Sequence, residues 1–232
     1  GAGRELVAKL VSDSKDSKIV AETDVEAVQF YHSLGFRIHS LGEKYPGIER
    51  FSCIHDHMDW SPCPYVDIIH TLQAADIRCW VSGGIALDLH VGYQTREHHD
   101  VDISIFRKDQ MVMREVFKDW EIYHTHAPGL RYWHDGNYLE EIPNVWIRGD
   151  QKSPWAFEVM FENSVDEEWV YRRNSSIRKA IKDIILTTDD GVPYLRPEIQ
   201  LLYKGGGSSF REKKNLADLK TMLPLLSGPS ID

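Results

Sequence analysis

Two aspartates, Asp100 and Asp102, stand at i and i+2 in the segment Asp-Val-Asp-Ile-Ser-Ile-Phe of residues 100–106. The segment alternates with period two, so both carboxylates leave a strand on one face. Two such charges repel unless a cation sits between them, and a hard divalent ion with oxygen ligands, such as Mg²⁺, is the usual solution. Upstream, Ser82-Gly83-Gly84 joins an apolar segment at 78–82 to a helical stretch through Ala86 and Leu87. Glycine amides there can approach phosphate oxygens because no Cβ intervenes, and the helix N-terminus adds favourable partial charge. A phosphate cradle followed by a metal-binding acid pair is the layout that phosphoryl or nucleotidyl transfer requires.

The string GGIALDLHVGYQTREHHDVDI, Gly83 to Ile103, carries both motifs. It resembles the aminoglycoside 2''-adenylyltransferases and lincosamide nucleotidyltransferases, which share the nucleotidyltransferase fold typified by DNA polymerase β. The resemblance spans about residues 65–225, and Ile85 replaces a tryptophan common in relatives. It implies that Asp100 and Asp102 hold Mg²⁺ and that Ser82, Gly83 and Gly84 cradle the β- and γ-phosphates of ATP. A hydroxyl of a small molecule, aminoglycoside-like by the same resemblance, then attacks the α-phosphorus and expels pyrophosphate.

The resemblance also calls for a third carboxylate on a later strand, as general base or metal ligand. Glu158 is the best candidate: it is a lone acid between the apolar neighbours of 155–161, and a buried-side carboxylate needs a partner. That partner is either a metal or one of Arg172 and Arg173. Glu162 competes, since a period of two puts it on the same face. Lys204, ending the stretch 197–204, resembles the lysine that reaches the triphosphate in these enzymes, and a point-charge ammonium suits that role. Arg96 either reaches a phosphate or pairs with Asp88. Asp218 resembles a structural position of the helical tail, and His98 and His99 shape the site without ligating Mg²⁺.

These residues need a scaffold. Helical periodicity marks 66–75, about 108–119, 197–204 and 211–225, the last two joined by the glycine-rich loop 205–209. Strands are expected at 78–82, 100–106, 120–124, 144–148 and 155–162. The fold class is therefore α/β (α+β): a nucleotidyltransferase domain over 65–232 with a mixed, twisted sheet and C-terminal helices. Residues 55–64, polar and without periodicity, read as a linker. Ahead of it, residues 1–54 resemble the C-terminal half of a GNAT-family N-acetyltransferase, on Gly1-Ala2-Gly3-Arg4 and Phe30-Tyr31-His32-Ser33-Leu34-Gly35-Phe36. Helices at 4–14 and 27–34 are expected there, the second started by a Thr23…Glu26 capping box and stopped by Gly35. Strands at 36–41 and 49–53 flank a turn at Lys44–Gly47. The strands that precede the glycine loop in that family are missing, so the segment is expected to support structure, with Tyr31 in its core. Its open sheet edge would dock on the second domain or on another copy of the chain.

Composition limits the partners. The formal charge of −9 disfavours nucleic acid and anionic membranes, and a cationic small-molecule acceptor fits better. Residues 1–54 hold 7 basic and 8 acidic residues, so the acidity lies in the rest of the chain. Three cysteines and no recognisable signal segment point to a reducing, cytoplasmic setting. Cys53, His55, His57 and Cys63 cluster in sequence, but with the spacing of no standard zinc site. Trp120, Tyr123, Tyr132 and Trp133 could line an acceptor pocket by cation–π attraction, aided by Asp135, Glu140 and Glu141; the competing reading is hydrophobic core. Two other functions stay open: an acetyl-CoA-dependent acetyltransferase completed by a longer chain, and a nucleotide-binding module without turnover.

Overall fold

The computed structural model describes residues 2–13, 18–55, 60–126, 129–133, 137–206 and 213–226. His57, Asp135 and the loop residues 207–209 lie outside them. In chain order the helices are α1 (Ala2–Asp13), α2 (Val28–His32), α3 (Tyr65–Ala74), α4 (Gly83–Val91), α5 (Gln110–Val116), α6 (Pro197–Gly205) and α7 (Lys213–Leu226). The strands are β1 (Ile19–Asp24), β2 (Arg37–Tyr45), β3 (Ile48–His55), β4 (Cys79–Val81), β5 (Asp102–Phe106), β6 (Glu121–His126) and β7 (Gly129–Tyr132), then β8 (Asn144–Arg148), β9 (Phe157–Val165), β10 (Glu168–Val170), β11 (Arg178–Ala180), β12 (Ile185–Thr187) and β13 (Pro193–Leu195). The class is α+β. The chain forms two compact units, residues 1–62 with 114–159 and residues 63–113 with 160–232. Both later boundaries fall inside an element, α5 and β9.

In the first unit, β3 is the centre of an antiparallel sheet between β1 and β2. Gly47, at φ +75°, makes the β2–β3 turn. Val28, Leu34, Phe36, Ile38 and Cys53 form its core, with Val7 and Val11 of α1 packed on it. Tyr31 sits edge-on to Phe30 and Phe36 in that cluster. The capping box does not form. Thr23 is paired with Phe51 inside the sheet, so its hydroxyl is not at a helix start, and the Glu26 amide donates instead to the Asp24 side chain. Ala27 occupies the N-cap of the short α2.

The second part of this unit pairs β6 antiparallel with both β7 and β8. Tyr123 and Trp155 pack there with Trp60, Tyr132 and Trp146. Tyr123 and Trp133 are fully buried, so these two rings serve as core. A buried polar network crosses the cluster. Arg148, 1% exposed, donates to Glu121 at 2.9 and 3.1 Å and lies 4.9 and 4.7 Å over the Tyr123 and Trp155 rings. His32 of α2 hydrogen-bonds the Tyr123 hydroxyl and lies 3.4 Å from Glu121.

The second unit is built on a mixed sheet ordered β12-β13-β4-β5. β13 is parallel to β4, and the other pairs are antiparallel. β4 is apolar throughout and buried, as an inner strand should be. Helices α4, α6 and α7 pack together through Leu87, Leu201 and Met222. β10 joins the end of β9 to β11. No helix among the described residues is long and apolar enough to cross a membrane.

Candidate functional site

The site forms where β4 ends. The Ser82 amide donates to the Asp102 carbonyl at 2.9 Å, which fixes this turn against the start of β5. Ser104, one alternation along β5, donates its hydroxyl to Ser82 at 3.1 Å. The chain then enters α4 through Gly83 at φ +69°, a conformation that other residues adopt only at a cost. Any Cβ on Gly83 would overlap the Asp102 carboxylate. Gly84 is confined too, since a Cβ there would strike Arg96 and His98. Backbone conformation and the adjacent carboxylate thus favour glycine at 83, and a side chain at 84 would move Arg96 and His98.

Ser82, Gly83 and Asp102 line a cavity of about 220 Å³ together with Glu162, Arg172 and Lys204. Opposite charges face one another in it. Helix α6 supplies several of its walls: Gln200 accepts the Gly83 amide at 2.8 Å, Tyr203 binds Glu162, and Lys204 projects beside them. Pro197 at the start of α6 costs no hydrogen bond, because the first-turn amides have no partner within a helix. Glu162 is 2% exposed and accepts the Tyr203 hydroxyl at 2.5 Å and the Trp169 indole at 2.7 Å. Burial pushes its carboxyl above the ordinary range, against the pull of Arg172 and those two donors. The Arg172 guanidinium stacks 4.8 Å over the Tyr203 ring.

The remaining expected residues are placed as follows. Asp100 precedes β5, with Asp102 as its first residue, and its charge is felt by Arg96. Arg96 does not pair with Asp88; its Nε and Nη2 donate to Asp218 at 2.9 and 3.3 Å. Asp88 is instead satisfied by Thr95 and by His98 at 2.6 Å. Lys204 lies 2.8 Å from Asp218 and 3.3 Å from Asn215. Glu158 belongs to the first unit, where its carboxylate accepts the Asn144 side-chain amide. Cys53 is buried in the first sheet, and burial raises its thiol to about 11. The sequence reading missed Gln200, Tyr203 and Arg172 as cavity walls. Only the i, i+3, i+4 spacing of Gln200, Tyr203 and Lys204 on one helix face could have signalled the first two.

Among the described residues no group of three or more His, Cys, Asp or Glu could hold a metal ion. Mg²⁺ is ordinarily bound by one or two carboxylates plus substrate phosphates rather than by a cage of side chains, and Asp102, which lines the cavity, has the oxygen chemistry it takes.

No curated protein matches the chain. Among solved structures it is similar to the lincosamide antibiotic adenylyltransferase LnuA bound to lincomycin, at 16% identity over 68% of this chain and 93% of that one, with a TM-score of 0.47. It is similar also to ANT(2'')-Ia in complex with adenylyl-2''-tobramycin, at 12% identity over 70% and 91%, with a TM-score of 0.43. The solution structure of ANT(2'')-Ia matches at 13% identity over 68% and 84%, with a TM-score of 0.42. Residues 65–182, just over half of the chain and including the glycine turn and both aspartates, match the model of the aminoglycoside-2''-adenylyltransferases, and the protein belongs to that family of nucleotidyltransferases.

Proposed function

We propose that the protein transfers AMP from ATP to a hydroxyl group of a cationic, aminoglycoside-like small molecule. The observation that carries this reading is the Gly83 turn pressed against the Asp102 carboxylate in a cavity that Lys204 also lines. Asp100 and Asp102 would hold Mg²⁺, which supplies charge neutralisation at the phosphates and lowers the pKa of a coordinated hydroxyl. The amides of Gly83 and Gly84 and the Ser82 hydroxyl bind phosphate oxygens, and Gln200 yields the Gly83 amide as they do. Lys204 and Arg96 balance charge on the triphosphate. The acceptor oxygen bonds to the α-phosphorus as the bond to the β-phosphate breaks, pyrophosphate leaves, and the hydroxyl proton passes to a carboxylate. Catalysis is then chiefly positioning and electrostatics.

Two carboxylates compete for that last role. Glu158 is supported by the family resemblance. Glu162 is supported by its place in the cavity with Asp102 and by a carboxyl whose affinity for a proton is raised. Purified protein with Mg²⁺, ATP and a panel of aminoglycosides and lincosamides should release pyrophosphate, and Asp102→Asn should abolish it. ATP binding without product from any acceptor would favour a binding module, and binding of acetyl-CoA would favour the acetyltransferase reading of residues 1–54.

A further inference from the structure

Lys204 lines the cavity and Arg96 lies against Gly84 beside it; they come from different parts of the chain, and one buried carboxylate meets both. Asp218 of α7 is 4% exposed. Its Oδ1 accepts Arg96 Nε at 2.9 Å, and its Oδ2 lies 2.8 Å from Lys204 Nζ and 3.3 Å from Arg96 Nη2. Asn215, one turn earlier on α7, accepts a second Lys204 proton at 3.3 Å. An ammonium has three protons, so one remains for the cavity. The Arg96 guanidinium, in turn, is held against Gly84.

We propose that Asp218 is a positioning residue for nucleotide binding: it holds Lys204 and Arg96 together, in the orientation that meets the triphosphate. This deepens, and rests on, the adenylyl-transfer reading. Two adjacent cations on flexible stems would otherwise repel and disperse, and each would lose rotamer freedom again on meeting a phosphate. One shared carboxylate holds both in advance and leaves the group a net positive charge. Asp218 lies outside residues 65–182, so the tail helix completes the phosphate site of the family core.

The experiment is calorimetric titration of the full chain with ATP in Mg²⁺, beside thermal melting. Asp218→Asn removes a negative charge near a polyphosphate, so charge alone predicts tighter binding. Positioning predicts the reverse: Kd for ATP rises roughly tenfold, the scale of one charge-assisted hydrogen bond. In the Lys204→Ala background the same change should cost less, because one of the two cations that Asp218 holds is gone. Should Asp218→Asn fail to fold, Asn215→Ala removes the second anchor of Lys204 and should raise Kd about threefold, the worth of one weaker hydrogen bond. Unchanged or tighter ATP binding in a folded Asp218→Asn, strict additivity with Lys204→Ala, or unchanged affinity in Asn215→Ala overturns the proposal. Wild-type protein that binds no ATP sinks the adenylyl-transfer reading itself, and this inference with it.

Discussion

Gly83 and Asp102 share a space that holds one side chain. The glycine, at φ +69°, faces the carboxylate so closely that a methyl group there would force the Asp102 carboxylate to shift. Gly83→Ala should therefore act through both strain and displacement. A non-glycine residue at positive φ costs about 1–3 kcal/mol, and displacing the carboxylate by about 1 Å costs about a hundredfold in rate. We expect a modest fall in melting temperature with a loss of pyrophosphate release far beyond it. An Ala variant with native turnover would show that this approach is not required.

The two glutamates of β9 separate by substitution. Glu162→Gln should lower turnover about a hundredfold or more, the usual share of a positioned general base. Glu158→Gln, whose amide can still meet Asn144, should stay within about threefold, since a surviving hydrogen bond leaves little to lose. Pyrophosphate release at saturating ATP measures both, and the opposite ranking would return the role to Glu158.

The first unit should weaken in acid through Glu121. Burial raises its carboxyl pKa, but the His32 hydrogen bond and the Arg148 charge outweigh this and hold it below the ordinary carboxylate value. A folded pKa below the unfolded one stabilises fully above the unfolded value, and that stability is lost as pH falls through the folded value. The stability gap between wild type and Glu121→Gln, from urea melts, should thus be widest near neutrality and close on acidification. Arg148→Ala leaves Glu121 without its buried cation and should cost about 3–5 kcal/mol.

Local motifs were legible in the sequence and distant pairings were not. Ser82-Gly83-Gly84 declares its turn because a strand-to-helix turn is a property of adjacent residues, whereas of the Asp100…Asp102 pair only Asp102 belongs to β5 and lines the cavity. Arg96 shows the limit: Asp88 was the acid at hand along the chain, whereas its partner, Asp218, lies 122 residues away. Alternation put Glu158 and Glu162 on one strand face but could not say which of them lines the cavity. β10, β11, β12 and β13 have three residues each, too few to display a period. Thr23…Glu26 misled for a related reason: long-range pairing with Phe51 overrode a local helix signal.

Because the chain leaves the first unit after residue 62 and returns at 114, that unit cannot be completed until residue 159 has been synthesised. Strands β1–β3 emerge from the ribosome long before β6 and β8, so His32 must wait for Glu121 and Tyr123. Trimming the N-terminal residues would thus strip partners from a segment embedded in the middle of the gene, and neither unit can be excised by a single cut.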